Sequence, residues 1–509
     1  MSKVSTIKEL ISGGRGDAIA IAAPDRSPLT YKALREHVEK TVFALNSYGI
    51  GRNDRVAIVL RNGPDMASAF LAVASGATTA PLNPAYQEEE FHFYLSDLDS
   101  KVLLIDKGST SPVLKAAANL GIPVLELAAN EPAGSFELVS RDHASLDSTS
   151  GSADYADPDD LALVLHTSGT TARPKIVPLS QANVCASAHN IRQILELTPD
   201  DRCMNIMPLF HIHGLMATIL ATLSAGASVF CTAGFNALKF YGWLRESDPT
   251  WYSAVPTMHQ AIVGRAKNNE DIIAASSLRF IRSSSASLPP KVMRELEATF
   301  GVPVLEAYAM TEASHQMTCN PLPPLERKAG SVGMAAGPEV AIMNEVGDLE
   351  PAGCTGEVVI RGTNVTLGCE NNPKANAECF TNGWFRTGDQ GVMDENGYLS
   401  ITGRLKEIIN RGGEKISPRE VDEVLMDHPA VQQVVTFAIP SEKLGEEIAA
   451  AVVLHEGGAT SEREIRQFAG EHLANFKIPR KVFFLDEIPK GATGKLQRIG
   501  LAEKLGLAG

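Results

Sequence analysis

Residues 166–175 read His166-Thr-Ser-Gly-Thr-Thr-Ala-Arg-Pro-Lys175 and directly follow an apolar run, Leu161-Ala-Leu-Val-Leu165. A short, uninterrupted apolar run of this kind is typical of a fully buried strand. In the loop after it, backbone N–H and hydroxyl groups can turn inward around phosphate oxygens, and Lys175 adds positive charge. The loop is not a Walker P-loop, because no Gly-Lys-Ser/Thr sequence closes it. The pattern predicts a phosphate site behind a buried strand, although such a cluster standing alone is equally often a polar surface turn.

The composition places limits on domain number and partners. A chain of 509 residues exceeds what one hydrophobic core supports, so two or more domains are predicted. The net charge of −14 argues against nucleic acid or an anionic membrane as the main partner. Seven cysteines without CxxC spacing indicate reduced thiols of an intracellular protein. Because no signal peptide or membrane-length apolar span is recognisable, we predict a cytoplasmic protein without stable membrane insertion.

Helical and strand patterns alternate from the N-terminus to about residue 330, which indicates an α/β architecture with parallel strands. Residues 330–403 are rich in glycine and in short β-like runs, which suggests a small β-subdomain. We predict a boundary after Arg404, with a large N-terminal domain of residues 1–404 and a small α+β domain of residues 405–509. In the small domain, Ser417-Pro-Arg-Glu420 and Ser461-Glu-Arg-Glu464 are both interpreted as capping boxes.

Further motifs follow the first stretch in order along the chain. In Glu306-Ala-Tyr-Ala-Met-Thr-Glu312, Thr311 and Glu312 are expected at a strand end, where open α/β sheets place ligands. A carboxylate beside a polyphosphate usually has a cation between them, which makes Glu312 a candidate Mg²⁺ ligand. The other motifs are Trp384-Phe-Arg-Thr-Gly-Asp389, Gly403-Arg404 and Pro489-Lys-Gly-Ala-Thr-Gly-Lys495. Each of them alone is as well explained by a surface turn.

Together, and in this order, the motifs resemble the signature of the adenylate-forming superfamily, which includes acyl-CoA synthetases, adenylation domains of peptide synthetases, and luciferases. The resemblance covers nearly the whole chain, and the departures from the usual motifs are His166, Ala172, Ile176 and Ala309. It implies the adenylate-forming fold with a mobile C-terminal domain, ATP and CoA as substrates, and Mg²⁺. A carboxylate is first joined to AMP and then transferred to a thiol. Because no carrier segment follows residue 509, free CoA is the expected acceptor.

The resemblance assigns roles to individual residues. Those implied to hold the ATP phosphates are Thr167, Ser168, Gly169, Thr170, Thr171 and Lys175, with Mg²⁺ on Thr170 and Glu312. Those implied to line the nucleotide elsewhere are Ser285, Ala286, Ser287, Glu306, Ala307, Tyr308 (on adenine), Asp389 and Arg404 (on the ribose). The predicted catalytic set is Lys495, which bridges the attacking carboxylate and the α-phosphate, with Glu312, Thr311 and His211. Lys406 matches the hinge, and Arg411, Gly412 and Gly413 match a loop that lines the pantetheine tunnel after the small domain rotates.

The acid substrate is predicted from the donors in three segments. Phe210-His-Ile-His-Gly214, Arg279-Phe-Ile-Arg-Ser-Ser-Ser-Ala-Ser287 and His315 favour a compact hydrophilic acid over a fatty acid, whose pocket is apolar. These segments resemble those of the oxalate–CoA ligases of plants and fungi. The resemblance implies that Ser285 and His315 hold the distal carboxylate of oxalate, and that His211 lies between the acyl pocket and the CoA tunnel. His213 is also predicted as a substrate residue.

Three alternatives remain open at this stage. The nearest is a CoA ligase for another short or medium-chain acid, such as malonate or a fatty acid. The others are luciferase-like oxidation of the adenylate and a degenerate nucleotide sensor, against which the retention of Lys495, Glu312 and Asp389 argues. The oligomeric state is not predicted.

Overall fold

The computed structural model describes residues 4–141, 153–167, 174–370, 373–491 and 495–507, with only the backbone of residues 373–375. The helices are α1 (Ile7–Ser12), α2 (Tyr31–Ser47), α3 (Pro64–Ala74), α4 (Glu88–Asp97), α5 (Val113–Leu120), α6 (Gln181–Ile194), α7 (Ala221–Ser224), α8 (Phe240–Ser247), α9 (Pro256–Val263), α10 (Glu270–Ala274), α11 (Pro290–Phe300), α12 (Pro373–Cys379), α13 (Pro418–Met426), α14 (Glu462–His472) and α15 (Leu501–Lys504). A π-helix covers His213–Leu220, and 3₁₀ turns cover Ala266–Asn268, Thr311–Ala313 and Asn475–Lys477.

The strands build four sheets. The strands up to residue 404 are β1 (Ile19–Ala23), β2 (Arg26–Thr30), β3 (Arg55–Val59), β4 (Thr78–Pro81), β5 (Val102–Asp106), β6 (Val124–Ala129), β7 (Phe136–Ser140), β8 (Leu161–Thr167), β9 (Lys175–Ser180), β10 (Arg202–Asn205), β11 (Ser228–Cys231), β12 (Trp251–Ala254), β13 (Phe280–Ser283), β14 (Val304–Met310), β15 (His315–Cys319), β16 (Met334–Ala335), β17 (Glu339–Met343), β18 (Thr355–Arg361), β19 (Phe380–Thr381), β20 (Trp384–Met393) and β21 (Leu399–Arg404). The later strands are β22 (Ile409–Arg411), β23 (Glu414–Ile416), β24 (Val431–Ser441), β25 (Gly445–Leu454) and β26 (Lys481–Phe484).

Two large sheets form the α/β body. One has nine strands in the order β16-β15-β14-β13-β12-β10-β11-β1-β2, and the other has seven in the order β7-β6-β5-β3-β4-β8-β9. The central strands of both are parallel, as the alternation of helices and strands predicts. Helix α3 is buried along its whole length and packs against strands of both sheets, so it lies between them. The buried run of residues 161–165 is confirmed as part of a strand, β8.

Strands β17 to β21 form a separate five-stranded antiparallel sheet, which is the predicted β-subdomain. After Arg404, strands β22 to β26 form another sheet with its own helices, so the α+β character of this region is also confirmed. The capping box at Ser461 is present. The one at Ser417 is wrong, because the Ser417 hydroxyl donates to the Thr402 carbonyl and Glu420 pairs with Lys477 instead. Among the described residues, no helix is long and apolar enough to cross a bilayer.

Candidate active site

Several of the predicted site residues lie together at one edge of the nine-stranded sheet. Strands β10, β12, β13 and β14 run parallel, so their carboxyl ends meet at the same edge. The segments that follow these ends carry His211 and His213, Ser285, and the Thr311–His315 turn. Open α/β sheets bind ligands in the crevice outside the carboxyl ends of their strands. The topology therefore brings together residues that are about 100 positions apart in the sequence.

Asp389, Arg404 and Tyr308 form one hydrogen-bonded group at this edge. Asp389 on β20 and Arg404 on β21 are register partners, which explains their 15-residue spacing. Arg404 Nε donates to Asp389 Oδ1 at 2.8 Å, and the Tyr308 hydroxyl donates to Asp389 Oδ2 at 2.5 Å. Burial, followed by the charge of Asp389, raises the pKa of Tyr308 well above its usual value, so the phenol keeps its proton. The group offers a fixed carboxylate and an aromatic face, which suit a nucleoside.

Lys495 of the C-terminal region lies close enough to this group to be influenced by its charges. Gly491 N–H donates to the Lys495 carbonyl at 2.8 Å, and Lys490 and Leu496 form an antiparallel bridge, so Lys495 is held beside Gly491. Burial and, after it, the Arg404 guanidinium lower the pKa of Lys495 to about 8, against the opposing effect of Asp389. The structure thus brings the predicted catalytic lysine into the cleft.

Thr311 and Glu312 form a 3₁₀ turn directly after β14. Burial raises the pKa of Glu312, while Arg404 and Lys175 act in the opposite direction. Among the described side chains, no group of three or more His, Cys, Asp and Glu residues is arranged to hold a metal ion. A single carboxylate still fits Mg²⁺, which is commonly held by one or two carboxylates with substrate phosphates and water. Glu312, which has cationic neighbours but no ion-pair partner among the described residues, is chemically suited to that role.

The phosphate loop is only partly described. Thr167 and Lys175 are register partners at the ends of β8 and β9, so they flank the loop between these strands. Ser168, Gly169, Thr170 and Thr171 lie outside the described residues.

A buried polar pocket lies beside the nucleotide group. The His213 and His315 rings stack with centroids 5.0 Å apart and an interplanar angle of 24°. Ser285 Oγ lies 3.0 Å from His213 Nδ1, and Ser253 Oγ lies 2.6 Å from His213 Nε2. His315 is fully buried, yet neither of its ring nitrogens has a hydrogen-bond partner in the part of the chain that the structure describes. Burying polar atoms without partners is costly, so these nitrogens are available for a polar ligand.

The backbone around this pocket is strained at three positions. Ser285, Ser314 and His315 have φ values of 74°, 49° and 98°, although none of them is a glycine. Such conformations cost on the order of 1–3 kcal/mol each and cluster at ligand sites. Ser285 and His315 are the two residues predicted to hold the distal carboxylate of the acid.

His211 and Gly214 lie at the start of the π-helix, which begins at His213. The His213 backbone N–H donates to His211 Nδ1 at 3.2 Å. Burial, and then the Lys495 charge, lowers the pKa of His211 to about 3, so this ring is neutral. A Cβ atom added to Gly214 would lie 2.4 Å from the Pro208 carbonyl oxygen. Glycine avoids this steric clash because it has no Cβ atom. π-helical turns are frequent at functional sites.

Other predicted residues support the site or lie away from it. The buried Glu306 carboxylate accepts the Leu288 N–H at 2.9 Å, and the Ser284 hydroxyl donates to the Ala307 carbonyl, so both positions hold the 284–288 loop. Ala286 is exposed in that loop, and Ser287 is half-buried. Lys406 is exposed in the turn after β21.

Among the described residues, the hydrogen bonds of the glycine loop, Arg411–Gly413, lie within the C-terminal region. Gly412 and Gly413, with φ values of 61° and 98°, form the tight turn between β22 and β23. Arg411 Nε donates to Glu447 at 2.5 Å, and Gly412 N–H donates to the Leu444 carbonyl. The structure does not bring these residues to the cleft in this arrangement.

Sequence reasoning missed Arg282 and Ser253 as individual site residues. Both are fully buried, and Arg282 Nη2 donates to Gln316 Oε1 at 3.1 Å. The available signal was an arginine inside the apolar strand run Leu278-Arg-Phe-Ile-Arg-Ser283, since arginine is almost never fully buried unless it is paired.

The sequence of this chain matches known protein families over most of its length. Residues 12–369 match the AMP-binding enzyme family, and residues 420–495 match the AMP-binding enzyme C-terminal domain. This chain belongs to the AMP-binding enzyme family. The chain is 47% identical over 488 residues to an oxalate–CoA ligase of Arabidopsis thaliana, covering 95% of this chain and 94% of the relative. It is 44% identical to an oxalate–CoA ligase of Saccharomyces cerevisiae, covering 96% and 94%.

Among solved structures of this family, ATP-bound MatB from Rhodopseudomonas palustris matches with a TM-score of 0.88 at 28% identity, covering 98% of both chains. Apo MatB from the same organism matches with a lower TM-score, 0.79. The AMP-binding enzyme described here is thus more similar to the ATP-bound form. This agrees with the position of Lys495 in the cleft.

Proposed function

We propose that this AMP-binding enzyme is an AMP-forming oxalate–CoA ligase, which converts oxalate, ATP and CoA to oxalyl-CoA, AMP and pyrophosphate. The observation that carries the proposal is the fully buried His315 ring, whose nitrogens have no hydrogen-bond partner among the described residues. The ring stacks on His213, which is hydrogen-bonded to Ser285. The ring is neutral, because burial holds the pKa of His315 well below its usual value, and it therefore carries one N–H donor. A small acid with a second carboxylate supplies an acceptor for this N–H, whereas an alkyl chain leaves it unpaired at a cost of about 1–3 kcal/mol. The two oxalate–CoA ligases that resemble nearly the whole chain support the same substrate.

In the first step, one oxalate carboxylate attacks the α-phosphorus of ATP, the bond to pyrophosphate breaks, and oxalyl-AMP forms. Lys495 stabilises the negative charge that develops between the attacking oxygen and the α-phosphate. Its ammonium form is needed, and a pKa of about 8 leaves most molecules protonated at neutral pH. Thr311 orients the α-phosphate from the turn after β14. These groups act mainly by positioning and charge stabilisation, as in phosphoryl transfer.

The nucleotide is held from two sides. Asp389 accepts hydrogen bonds from the ribose hydroxyls, and Arg404 keeps the Asp389 carboxylate in place. Tyr308 lies against the adenine. The segments Ser285–Ser287 and Glu306–Tyr308 line the rest of the nucleotide. The phosphates lie in the loop that contains Thr167, Ser168, Gly169, Thr170, Thr171 and Lys175. Mg²⁺, when bound by Glu312 and Thr170, supplies positive charge that neutralises the phosphate oxygens.

In the second step, the CoA sulfur attacks the acyl carbon, the bond to AMP breaks, and the thiol proton is released. The domain of residues 405–509 turns about Lys406 between the two steps and withdraws Lys495. Arg411, Gly412 and Gly413 then line the pantetheine arm, to which glycines allow close backbone approach. Neutral His211 stands between the acyl pocket and the thiol path. In the cell, the reaction opens a route for oxalate breakdown, and we place it in the cytoplasm.

Pyrophosphate release from purified protein with Mg-ATP and CoA tests the proposal. Oxalate, malonate, acetate and octanoate are compared at matched concentrations. We expect a clear preference for oxalate, and a loss of about tenfold or more in kcat/KM for oxalate in His315→Ala, because charge-assisted hydrogen bonds are removed.

The matched control is His37→Ala. His37 is another buried histidine with a nitrogen, Nε2, that lacks a partner among the described residues, and its ring packs against Phe136. It should leave kcat/KM for oxalate within about twofold of the wild type, well below the tenfold step. Faster turnover of octanoate than of oxalate refutes the oxalate assignment, because the pocket polar groups are then structural. Preference for malonate points to the neighbouring alternative, a ligase for another short diacid.

A further inference from the structure

Four side chains form a continuous hydrogen-bonded row from the core of the nine-stranded sheet to the pocket. Arg282 Nη1 lies 3.4 Å from Ser253 Oγ and 3.5 Å from His213 Nε2. Ser253 Oγ lies 2.6 Å from His213 Nε2, and His213 Nδ1 lies 3.0 Å from Ser285 Oγ. Ser253 and Arg282 are register partners on β12 and β13, so both side chains point to the same face of the sheet.

The chemistry of the first member fixes the direction of every hydrogen bond in the row. A guanidinium can only donate, and Arg282 Nη1 faces both Ser253 Oγ and His213 Nε2, so both of these atoms are acceptors. The Ser253 hydroxyl hydrogen is therefore directed to His213 Nε2. His213 Nε2 then accepts, which places the ring proton on Nδ1, and Nδ1–H donates to Ser285 Oγ. The Ser285 hydroxyl hydrogen is left free to donate outward.

The histidine must be neutral for this order to hold. Burial, followed by the His315 ring and the Arg282 charge, keeps the pKa of His213 well below its usual value. A neutral ring has one donor and one acceptor nitrogen, as the row requires.

Arg282 has only uncharged hydrogen-bond partners among the residues that the structure describes. It is fully buried, and its Nη2 donates to the neutral amide oxygen of Gln316. Burial raises the pKa of the neighbouring Cys319 to about 11, so this thiol is uncharged as well. Within the described part of the chain, no carboxylate forms an ion pair with Arg282, and its Nε is unpartnered. A buried charge is costly unless it is paired.

We propose that Arg282 is a positioning residue for diacid substrates: through Ser253 and His213 it turns the Ser285 hydroxyl toward the second carboxylate, and it supplies the buried positive charge which that carboxylate balances. The inference rests on the proposed function, and it extends the recognition of the acid to two residues beneath the pocket. Ser285, held at a φ of 74°, is the member that contacts the substrate. The row therefore selects for a second negative charge on the acid.

The test compares Arg282→Gln, Arg282→Lys and Ser253→Ala with the wild type in the pyrophosphate assay. Arg282→Gln removes the charge and can accept as well as donate, so KM for oxalate should rise about tenfold or more while KM for ATP stays within about twofold. The ratio of oxalate to acetate turnover should fall by a similar factor. Arg282→Lys, which keeps a donor-only cation, should restore most of the oxalate affinity.

Arg202→Gln is the matched control. Arg202 lies in the same sheet at the start of β10 and bonds to a serine hydroxyl and a backbone carbonyl, at the opposite edge from the site. Its KM for oxalate should equal that of the wild type.

Three outcomes overturn the inference. One is an unchanged KM for oxalate in folded Arg282→Gln. Another is a rise of KM for ATP in the same variant that is as large as the rise of KM for oxalate, because this indicates a general loss of packing. If Arg282→Gln does not fold, Ser253→Ala decides, and an unchanged KM for oxalate in that variant overturns the inference.

Failure of the proposed function has a different signature, because wild-type protein then does not use oxalate. If it uses another diacid, the same KM comparison is made with that acid. If it prefers a monocarboxylic acid, both proposals fall.

Discussion

The protonation state of Lys495 makes the first step of the reaction sensitive to pH. Burial and Arg404 lower the pKa of Lys495 from 10.5 to about 8. Only the ammonium form can stabilise the charge at the α-phosphate, so adenylation should decline as pH rises through about 8. One pH unit above the pKa about a tenth of the molecules keep the proton. We therefore expect kcat/KM for adenylation at pH 9 to be about tenfold below its plateau, and the profile to report the pKa of the free enzyme.

The ionisable side chains near Lys495 change their charge outside the pH range in which Lys495 does. The pKa values of His211, His213 and His315 lie below their usual range, and that of Tyr308 lies above it, so none of them titrates between pH 8 and 9. CoA is left out of the assay because a free thiol ionises near pH 8.5. ATP–pyrophosphate exchange with oxalate measures the first step alone.

Lys495→Arg provides the comparison, because a guanidinium keeps its charge across this range. Whatever activity this variant retains should not decline between pH 7.5 and 9.5. A wild-type profile that is flat to pH 9.5, or an equal decline in Lys495→Arg, refutes the assignment of the charge-stabilising role to a lysine with this pKa.

Two further predictions concern the nucleotide group and the π-helix. Asp389→Asn should raise KM for ATP about tenfold or more, because it removes a charged acceptor from the ribose and leaves Arg404 without its partner; initial rates at varied ATP concentration measure this, and an unchanged KM contradicts it. Gly214→Ala should lower the free energy of unfolding by about 1–3 kcal/mol, because the added Cβ would lie 2.4 Å from the Pro208 carbonyl oxygen. Gly242→Ala in helix α8, where the added atom meets open space, should instead be neutral or stabilising by up to about 1 kcal/mol, and thermal unfolding that affects both variants equally contradicts this reasoning.

The sequence predicts those parts of the site that depend on local pattern. The strand–loop–strand at Leu161–Ser180 and the pairing of Asp389 with Arg404 follow from runs and motifs that stay close in the chain. The fold class follows from the alternation of helical and strand patterns, which is likewise local.

The Arg282–Ser253 contact could not be predicted in this way. It joins residues 29 positions apart through the order and register of two strands, which no local pattern specifies. The Ser417 cap failed for a similar reason, because a distant carbonyl at Thr402 competes for its hydroxyl. The positive φ values of Ser285 and His315 could not be predicted either, because residues other than glycine adopt such angles only in a few per cent of cases.

The C-terminal sheet gives a physical reason for the proposed rotation between the two steps. Side chains on a strand alternate between faces, and along β25 Ala449 and Ala451 pack in one hydrophobic cluster while Ile448 and Val452 pack in another. The segment that carries Lys495 joins the first cluster through Ile488 and Leu496.

The strands that flank the glycine loop join the second cluster through Ile409 and Ile416. The segment that carries Lys495 thus packs on one face of the sheet, whereas the Arg411–Gly413 turn joins two of its strands, β22 and β23. Lys495 lies beside Asp389 and Arg404, while the turn bonds to Glu447 and Leu444 of its own domain. A reaction that uses both groups in one cleft therefore requires the domain to turn between the adenylation and thioester steps. Of the two, only Lys495 is influenced by the charges of Asp389 and Arg404, as expected for the arrangement that performs adenylation.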